Sequence, residues 1–201
     1  AGLMRGHAEE IKAILVEEGV ADQPVGVDYI EPPMLAELER AGITIVDGQQ
    51  TMLDAREIKS QDELILLNQA AAMVDGTYHM ILEELKPGIR ESDIVGLANK
   101  KLYELGSDDV EAINAISGER CSPHPHNFTD RIFRPGDQAF FDIIQSFNGY
   151  RTCYYRTFNI GRATDSQEDA YKQARDWIDA AIELVKPGTT TDQIAAIWPK
   201  A

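Results

Sequence analysis

An α+β fold is predicted by three observations: two amphipathic helical segments precede three strand candidates, the last two strands form a tight hairpin, and a helix-turn-helix unit recurs late in the chain. Leu64, Leu67, Ala71, Val74 and Tyr78 recur at helical spacing ahead of Lys86-Pro87-Gly88. Asn148-Gly149, flanked by apolar strand-forming runs, is the dipeptide that two-residue hairpin turns favour.

Taken in order, His7 to Glu18 places Ile11, Ala13, Ile14, Leu15 and Val16 among charges in a helical pattern that Gly19 stops. Val25 to Ile30 reads as a strand, Pro33 to Ala41 as a helix opened by prolines, and Thr44 to Val46 as a second strand ending at Asp47-Gly48. This β-α-β segment is too small to own a core. A long helix is expected from Ser60, which with Glu63 fits a capping box, to Leu85. Proline and glycine in Lys86-Pro87-Gly88 end it. A second helix runs from Glu91 to Leu105, capped by Ser92 or Glu91 and stopped by Gly106. Strands follow at Glu111 to Ile116, at Gln138 to Gln145 after the turn signal Arg134-Pro135-Gly136-Asp137, and at Tyr150 to Ile160.

Glu83 to Lys100 reads EELKPGIRESDIVGLANK, and one hundred residues later Glu183 to Lys200 reads ELVKPGTTTDQIAAIWPK. Each copy is a long helix ending in Lys-Pro-Gly with a second helix after a polar turn. The pattern indicates duplication whose second half has just begun when the chain stops, so the chain reads as a fragment.

Of the 201 residues 43% are hydrophobic, ordinary for a folded protein. With 34 acidic against 19 basic residues the net charge is -15, which repels phosphate backbones and anionic lipid, so neither nucleic acid nor membrane is expected as a partner. No apolar run approaches the roughly 20 residues of a transmembrane helix. The opening is amphipathic and acidic, unlike a signal peptide, which points to the cytoplasm. Cys121 and Cys153 are too few for a disulfide framework or zinc finger.

With Asn148 and Gly149 as turn residues, Phe147 faces Tyr150, Ile144 faces Cys153 and Asp142 faces Tyr155. Asp142, Arg151, Cys153 and Tyr155 then share one side of the sheet. An ionised carboxylate within Phe140-Phe141-Asp142-Ile143-Ile144 needs compensation. Either Arg151 or Arg156 neutralises it structurally, or it serves a metal or substrate. Upstream, the prolines of Ser122-Pro123-His124-Pro125-His126-Asn127 hold two imidazoles in an extended loop, presented and not buried. Their alternation and proximity to the carboxylate favour acid/base or ligand duty for His124 and His126. His7 and His79 have no such company, and Met73, Met80 and Trp177 read as core.

The order LKPGIRESDI, SPHPHNFTDRIFRPGDQAFFDI, NGYRTCYYRTFNIG resembles the creatinase, aminopeptidase P and prolidase superfamily of pita-bread enzymes. The segment Glu57-Ile58-Lys59-Ser60-Gln61-Asp62-Glu63-Leu64 is similar to that family's entry into its first long helix. The resemblance implies that residues 1–55 are the tail of a Rossmann-like N-terminal domain and residues 56–201 the first half of the pita-bread catalytic domain. It also implies a homodimer in the full-length protein.

In the family pattern two aspartates eleven residues apart bind a pair of divalent metals. Asp142 matches the first and Cys153 stands at the second, which implies an altered metal site. A family histidine that contacts substrate corresponds to His124 or His126, and the remaining His and Glu ligands come from the second half. The implied cofactor is a divalent metal (Mn, Zn, Fe or Co), or none, as in creatinase. A bridging pair of hard ions prefers oxygen over thiolate.

The function implied is hydrolysis of a C–N bond in a small polar or peptide-like substrate. His126 or His124 shuttles the proton, Asp142 and Cys153 stand at the metal positions, and Arg151, Tyr155 and Arg156 bind substrate carboxylates. The alternatives are a catalytically silent member kept for binding or oligomerisation, and a lyase like the dimethylsulfoniopropionate-cleaving relatives.

Overall fold

The computed structural model describes residues 2–199, which divide into one unit up to Gln61 and another from Asp62 onward. Ala1, Lys200 at the end of the second repeat, and Ala201 lie outside the described residues.

In the first unit α1 (Gly2–Glu17) is followed by β1 (Val25–Val27), α2 (Pro32–Arg40), β2 (Ile45–Asp47) and α3 (Gln49–Glu57). The two strands pair in parallel, Val25 opposite Ile45, with α2 as the crossover. The prolines stand at the start of α2, where a missing N–H costs nothing. The expected strand after Val25 is shorter than predicted and ends at Val27. Contrary to expectation, the segment does own a small core. Ala8 of α1 packs with Leu38 and Ile43, and Ile11 and Leu15 close around them. The helix α3 was not foreseen; it buries no residue, so it carries no apolar periodicity to read.

In the second unit α4 (Gln61–Glu84) and α5 (Glu91–Leu105) precede β3 (Asp109–Ser117), a short 3-10 turn (Gly118–Cys121), β4 (Gln138–Phe147) and β5 (Tyr150–Asn159). Helices α6 (Asp165–Glu183) and α7 (Thr191–Ala195) follow. The sheet is antiparallel in the order β3-β4-β5. Asn148 and Gly149 both hold positive φ, 49° and 79°, as a type I′ turn requires. The Gly149 N–H is caught by Asp108 at 3.0 Å. The hairpin register is the predicted one: Phe147 opposite Tyr150, Ile144 opposite Cys153, Asp142 opposite Tyr155.

Side chains alternate across this sheet, and the two faces differ in what they meet. Ile113, Ala115, Phe141 and Ile143 turn toward α4 and α5, where Val74, Tyr78, Ile81, Ile94 and Leu102 complete the core. Each such fully buried aliphatic or aromatic side chain stabilises the fold by about 1.5–3 kcal/mol. The opposite parity, Asn114, Phe140, Asp142, Cys153 and Tyr155, lies on the face turned away from these helices.

Helix α5 is capped one residue earlier than expected: Arg90 is the cap residue, and its N–H donates to Asp93 at 3.0 Å. Gly106, at φ 100°, ends it as predicted. Helix α6 opens on a Thr164–Gln167 capping box, and both late helices fall where the repeat places them.

Candidate functional site

Asp142 sits mid-strand in β4 with 2% of its surface exposed, and both of its oxygens are occupied from the neighbouring strands. From β3, Asn114 Nδ2 donates to Oδ2 at 3.2 Å; from β5, Cys153 Sγ donates to Oδ1 at 3.3 Å. Asn114 is itself 5% exposed. A buried carboxylate is tolerated when its lone pairs are met by donors, and here both donors are neutral.

The loop between β3 and β4 brings His124 over this face. Its ring stacks on Phe140 with centroids 4.6 Å apart and planes 19° from parallel, and His126 meets it edge-on at 4.8 Å. The His124 Nε2 lies 3.3 Å from the Tyr155 hydroxyl, and Tyr155 stands directly opposite Asp142. Both imidazoles are exposed, as their proline-flanked setting predicts. His124, Tyr155, Asp142, Cys153 and Asn114 therefore form a connected polar group on one face of the sheet.

Burial and then the Asp142 carboxylate push the Tyr155 phenol up to about 12. The same two causes, in that order, push the Cys153 thiol up to about 11. Both groups are thus protonated at neutral pH and serve as donors. Cys121 rises to about 11 mainly through burial, consistent with an unreactive thiol.

Neither arginine offered as a structural counter-ion reaches Asp142. Arg151 pairs with Glu111 at 3.2 Å, at the exposed end of the same face. Arg156 is not brought to the group at all. Its guanidinium lies over the Tyr154 ring at 4.6 Å and 3.6 Å from Asp75 of α4, on the opposite side of the sheet. One residue of strand separates it from Tyr155, and that one residue reverses the direction of the side chain. Asn114 was missed by sequence reasoning, although a polar residue inside the apolar run Ala112-Ile113-Asn114-Ala115-Ile116 was the available signal.

The donor set that this chain supplies does not fit a pair of hard divalent ions. The strand position beside Asp142 carries a thiol, Cys153, and not a second carboxylate. The Asp142 Oδ1 is engaged by that protonated thiol and its Oδ2 by an amide. Among the described residues no group of three or more His, Cys, Asp or Glu side chains could hold a metal ion. Among them, too, no helix is long and apolar enough to cross a membrane.

This architecture is that of pita-bread peptidases. An X-Pro aminopeptidase from Thermotoga maritima superposes with a TM-score of 0.83 at 15% identity, over 95% of this chain and 55% of its own. Dipeptidase PepE from Mycobacterium ulcerans superposes with a TM-score of 0.76 at 25% identity, over 92% and 51% respectively. In sequence, a probable dipeptidase PepE of Mycobacterium tuberculosis is 27% identical over 164 residues, 81% of this chain and 44% of the relative. The chain thus spans about half the length of the curated relatives it matches. Residues 66–201 match the profile of metallopeptidase family M24, and the chain belongs to that family.

Proposed function

We propose that this chain is part of a hydrolase of the Xaa-Pro peptidase type that cleaves a C–N bond in a small polar or peptide-like substrate, with an altered metal site. Family membership supports the hydrolase class, and the names of the relatives, dipeptidase and X-Pro aminopeptidase, support a peptide-like substrate. The observation that carries the reading is the 3.3 Å contact between His124 Nε2 and the Tyr155 hydroxyl on the face that holds Asp142.

In this reading the imidazole of His124, or of its neighbour His126, takes a proton from the attacking water and returns it to the departing nitrogen. The C–O bond forms first and the carbonyl oxygen gains negative charge; the C–N bond breaks as this tetrahedral intermediate collapses and the nitrogen takes the proton. Tyr155, a neutral donor, faces the oxygen that gains negative charge. Asp142, fixed by Asn114 and Cys153, orients a positively polarised group of the substrate, and Arg151 offers a donor to a substrate carboxylate. A divalent ion would require further ligands besides Asp142.

Alanine replacement of His124 and His126, singly and together, in the full chain tests this. At least one variant is expected to lose roughly 100-fold or more in kcat on an Xaa-Pro dipeptide. Unchanged turnover of every accepted substrate in all three would refute it. Chelation followed by metal readdition reads the ion requirement separately.

Cys153 favours a second reading, a member that keeps the fold for binding alone, because the position that resembles a metal carboxylate carries a thiol. Absence of turnover in the unaltered full chain, with or without added divalent metal, would select it.

A further inference from the structure

Glu91 is a fully buried carboxylate with no part in the chemistry proposed above. It occupies the first turn of α5, whose Ile94, Val95 and Ala98 are locked into the core. Its Oε1 accepts from Ser117 Oγ at 2.7 Å, at the end of β3 where the histidine loop begins. Its Oε2 accepts from the Thr129 N–H at 2.9 Å and the Thr129 hydroxyl at 2.8 Å, where the loop returns. The same oxygen accepts from Arg120 Nη1. The second arm of Arg120 reaches Asn127 Oδ1 at 2.6 Å, one residue past His126. Backbone bonds run parallel to this clamp: the Ser92 N–H donates to Thr129 O at 3.1 Å and the Glu91 N–H to Arg131 O at 3.0 Å.

Both stems of the loop therefore converge on one carboxylate, and the segment enclosed between them is the one that carries His124 and His126. Within that segment the side-chain bonds are few. Cys121 Sγ approaches two backbone carbonyls at 3.4 and 3.8 Å, His124 meets Tyr155, and Glu119, whose side chain is open to water, pairs with Arg131 at 2.7 Å. A charged, four-donor site in a dry interior is far stiffer than those contacts, because low dielectric strengthens each bond and leaves an unmet charge costly.

We infer that Glu91 and Arg120 are positioning residues that set where the imidazoles of His124 and His126 stand over the Asp142 face. The inference rests on the reading of those histidines as the proton-handling groups, and it assigns a role to a helix-start residue that touches neither substrate nor reacting atoms. The carboxylate fixes the loop to the helix core, and the Arg120 fork carries that anchorage across to Asn127 beside the second histidine.

The test uses Glu91→Gln, Arg120→Gln and Arg120→Lys in the full chain, with histidines carbon-labelled for NMR. Folding is checked by circular dichroism. Expected for both Gln variants is loss of more than half of the ring-to-ring Overhauser intensity between His124 and the Phe140 and Tyr155 rings. A fall in kcat of roughly tenfold to hundredfold with KM little changed should accompany it. Arg120→Lys should recover part of both. If the Glu91 variant fails to fold, the Arg120 variant decides, since that side chain is 23% exposed and Ser117 and Thr129 still supply three donors to Glu91 without it. Unchanged Overhauser contacts in a folded variant would overturn the inference. Lost contacts with unchanged kcat would sustain the positioning role and sink the catalytic reading of the histidines instead.

Discussion

Cys153 Sγ lies 3.3 Å from Asp142 Oδ1 across the β4–β5 pair, so the thiol serves the carboxylate as a hydrogen-bond donor. A second carboxylate at residue 153 would repel the first unless a cation stood between them. Cys153→Asp in the full chain is accordingly expected to lower stability by about 1–3 kcal/mol in chelator, within the range of new buried-charge defects. Manganese or zinc should restore it, seen as a metal-dependent rise in Tm that the unaltered protein lacks. Equal Tm responses in both proteins would contradict this account.

The same contact, together with burial, lowers thiol reactivity. Burial first and Asp142 second raise the Cys153 thiol to about 11, against an ordinary value near 8.5–9. Its thiolate fraction at pH 8 is then roughly a hundredfold below that of a free cysteine. Slow iodoacetamide labelling at pH 8 is expected despite the exposure of Cys153. Asp142→Asn should speed it several-fold, because the charge is removed while burial remains. Peptide mapping by mass spectrometry would separate Cys153 from Cys121.

Much of this arrangement was legible because strand parity is a strict rule. Asn148-Gly149 located the turn, the turn set the register, and the register put Cys153 and Tyr155 beside Asp142. The same parity assigns Arg156 to the other face, a consequence the sequence already contained. Glu91 was harder to read: among the consecutive polar residues Arg90, Glu91 and Ser92 the cap position is ambiguous by one. That one residue decides whether a carboxylate points to solvent or into the core. Its partners Ser117, Arg120 and Thr129 lie 26 to 38 residues away, beyond any local pattern.

Placement of Arg156 on the helix side gives a direct contrast with Arg151. Arg156→Ala removes a cation over the Tyr154 ring and an exposed pair with Asp75, together about 0.5–1 kcal/mol. It should leave KM on a dipeptide within about twofold, because nothing on the Asp142 face changes. Arg151→Ala should raise KM for substrates with a free carboxylate by roughly tenfold with little change in stability. A large KM effect in Arg156→Ala alone would reverse this assignment.

Below the histidine loop, Arg131 forks onto Asp137, reaches Glu119 at 2.7 Å, and also donates to Ser117 Oγ at 2.9 Å. Its guanidinium covers Gly118, where an added Cβ would meet Nη2 at 2.2 Å and where φ is 59°, so no larger residue fits there. Burial alone would raise the Asp137 carboxyl. The Arg131 guanidinium and the Arg134 N–H outweigh it and hold the group below the usual carboxylate range. Glu119 is held down to about 2, chiefly by its hydrogen bond from Arg131, but it is exposed and water screens its pair. A carboxyl with a depressed folded-state pKa binds its proton more readily when unfolded. Its stabilisation is therefore complete above the unfolded value near 3.9 and is lost as pH falls through the folded one. Asp137→Asn should cost about 1–3 kcal/mol at pH 7, since it leaves a largely buried guanidinium short of a partner. The gap between the two proteins in urea midpoint should hold steady from pH 7 to pH 5 and narrow as pH falls below about 4, through the depressed folded-state value. A gap that does not narrow at all below about pH 4 would mean that packing at Asp137, and not its charge, anchors the turn into β4.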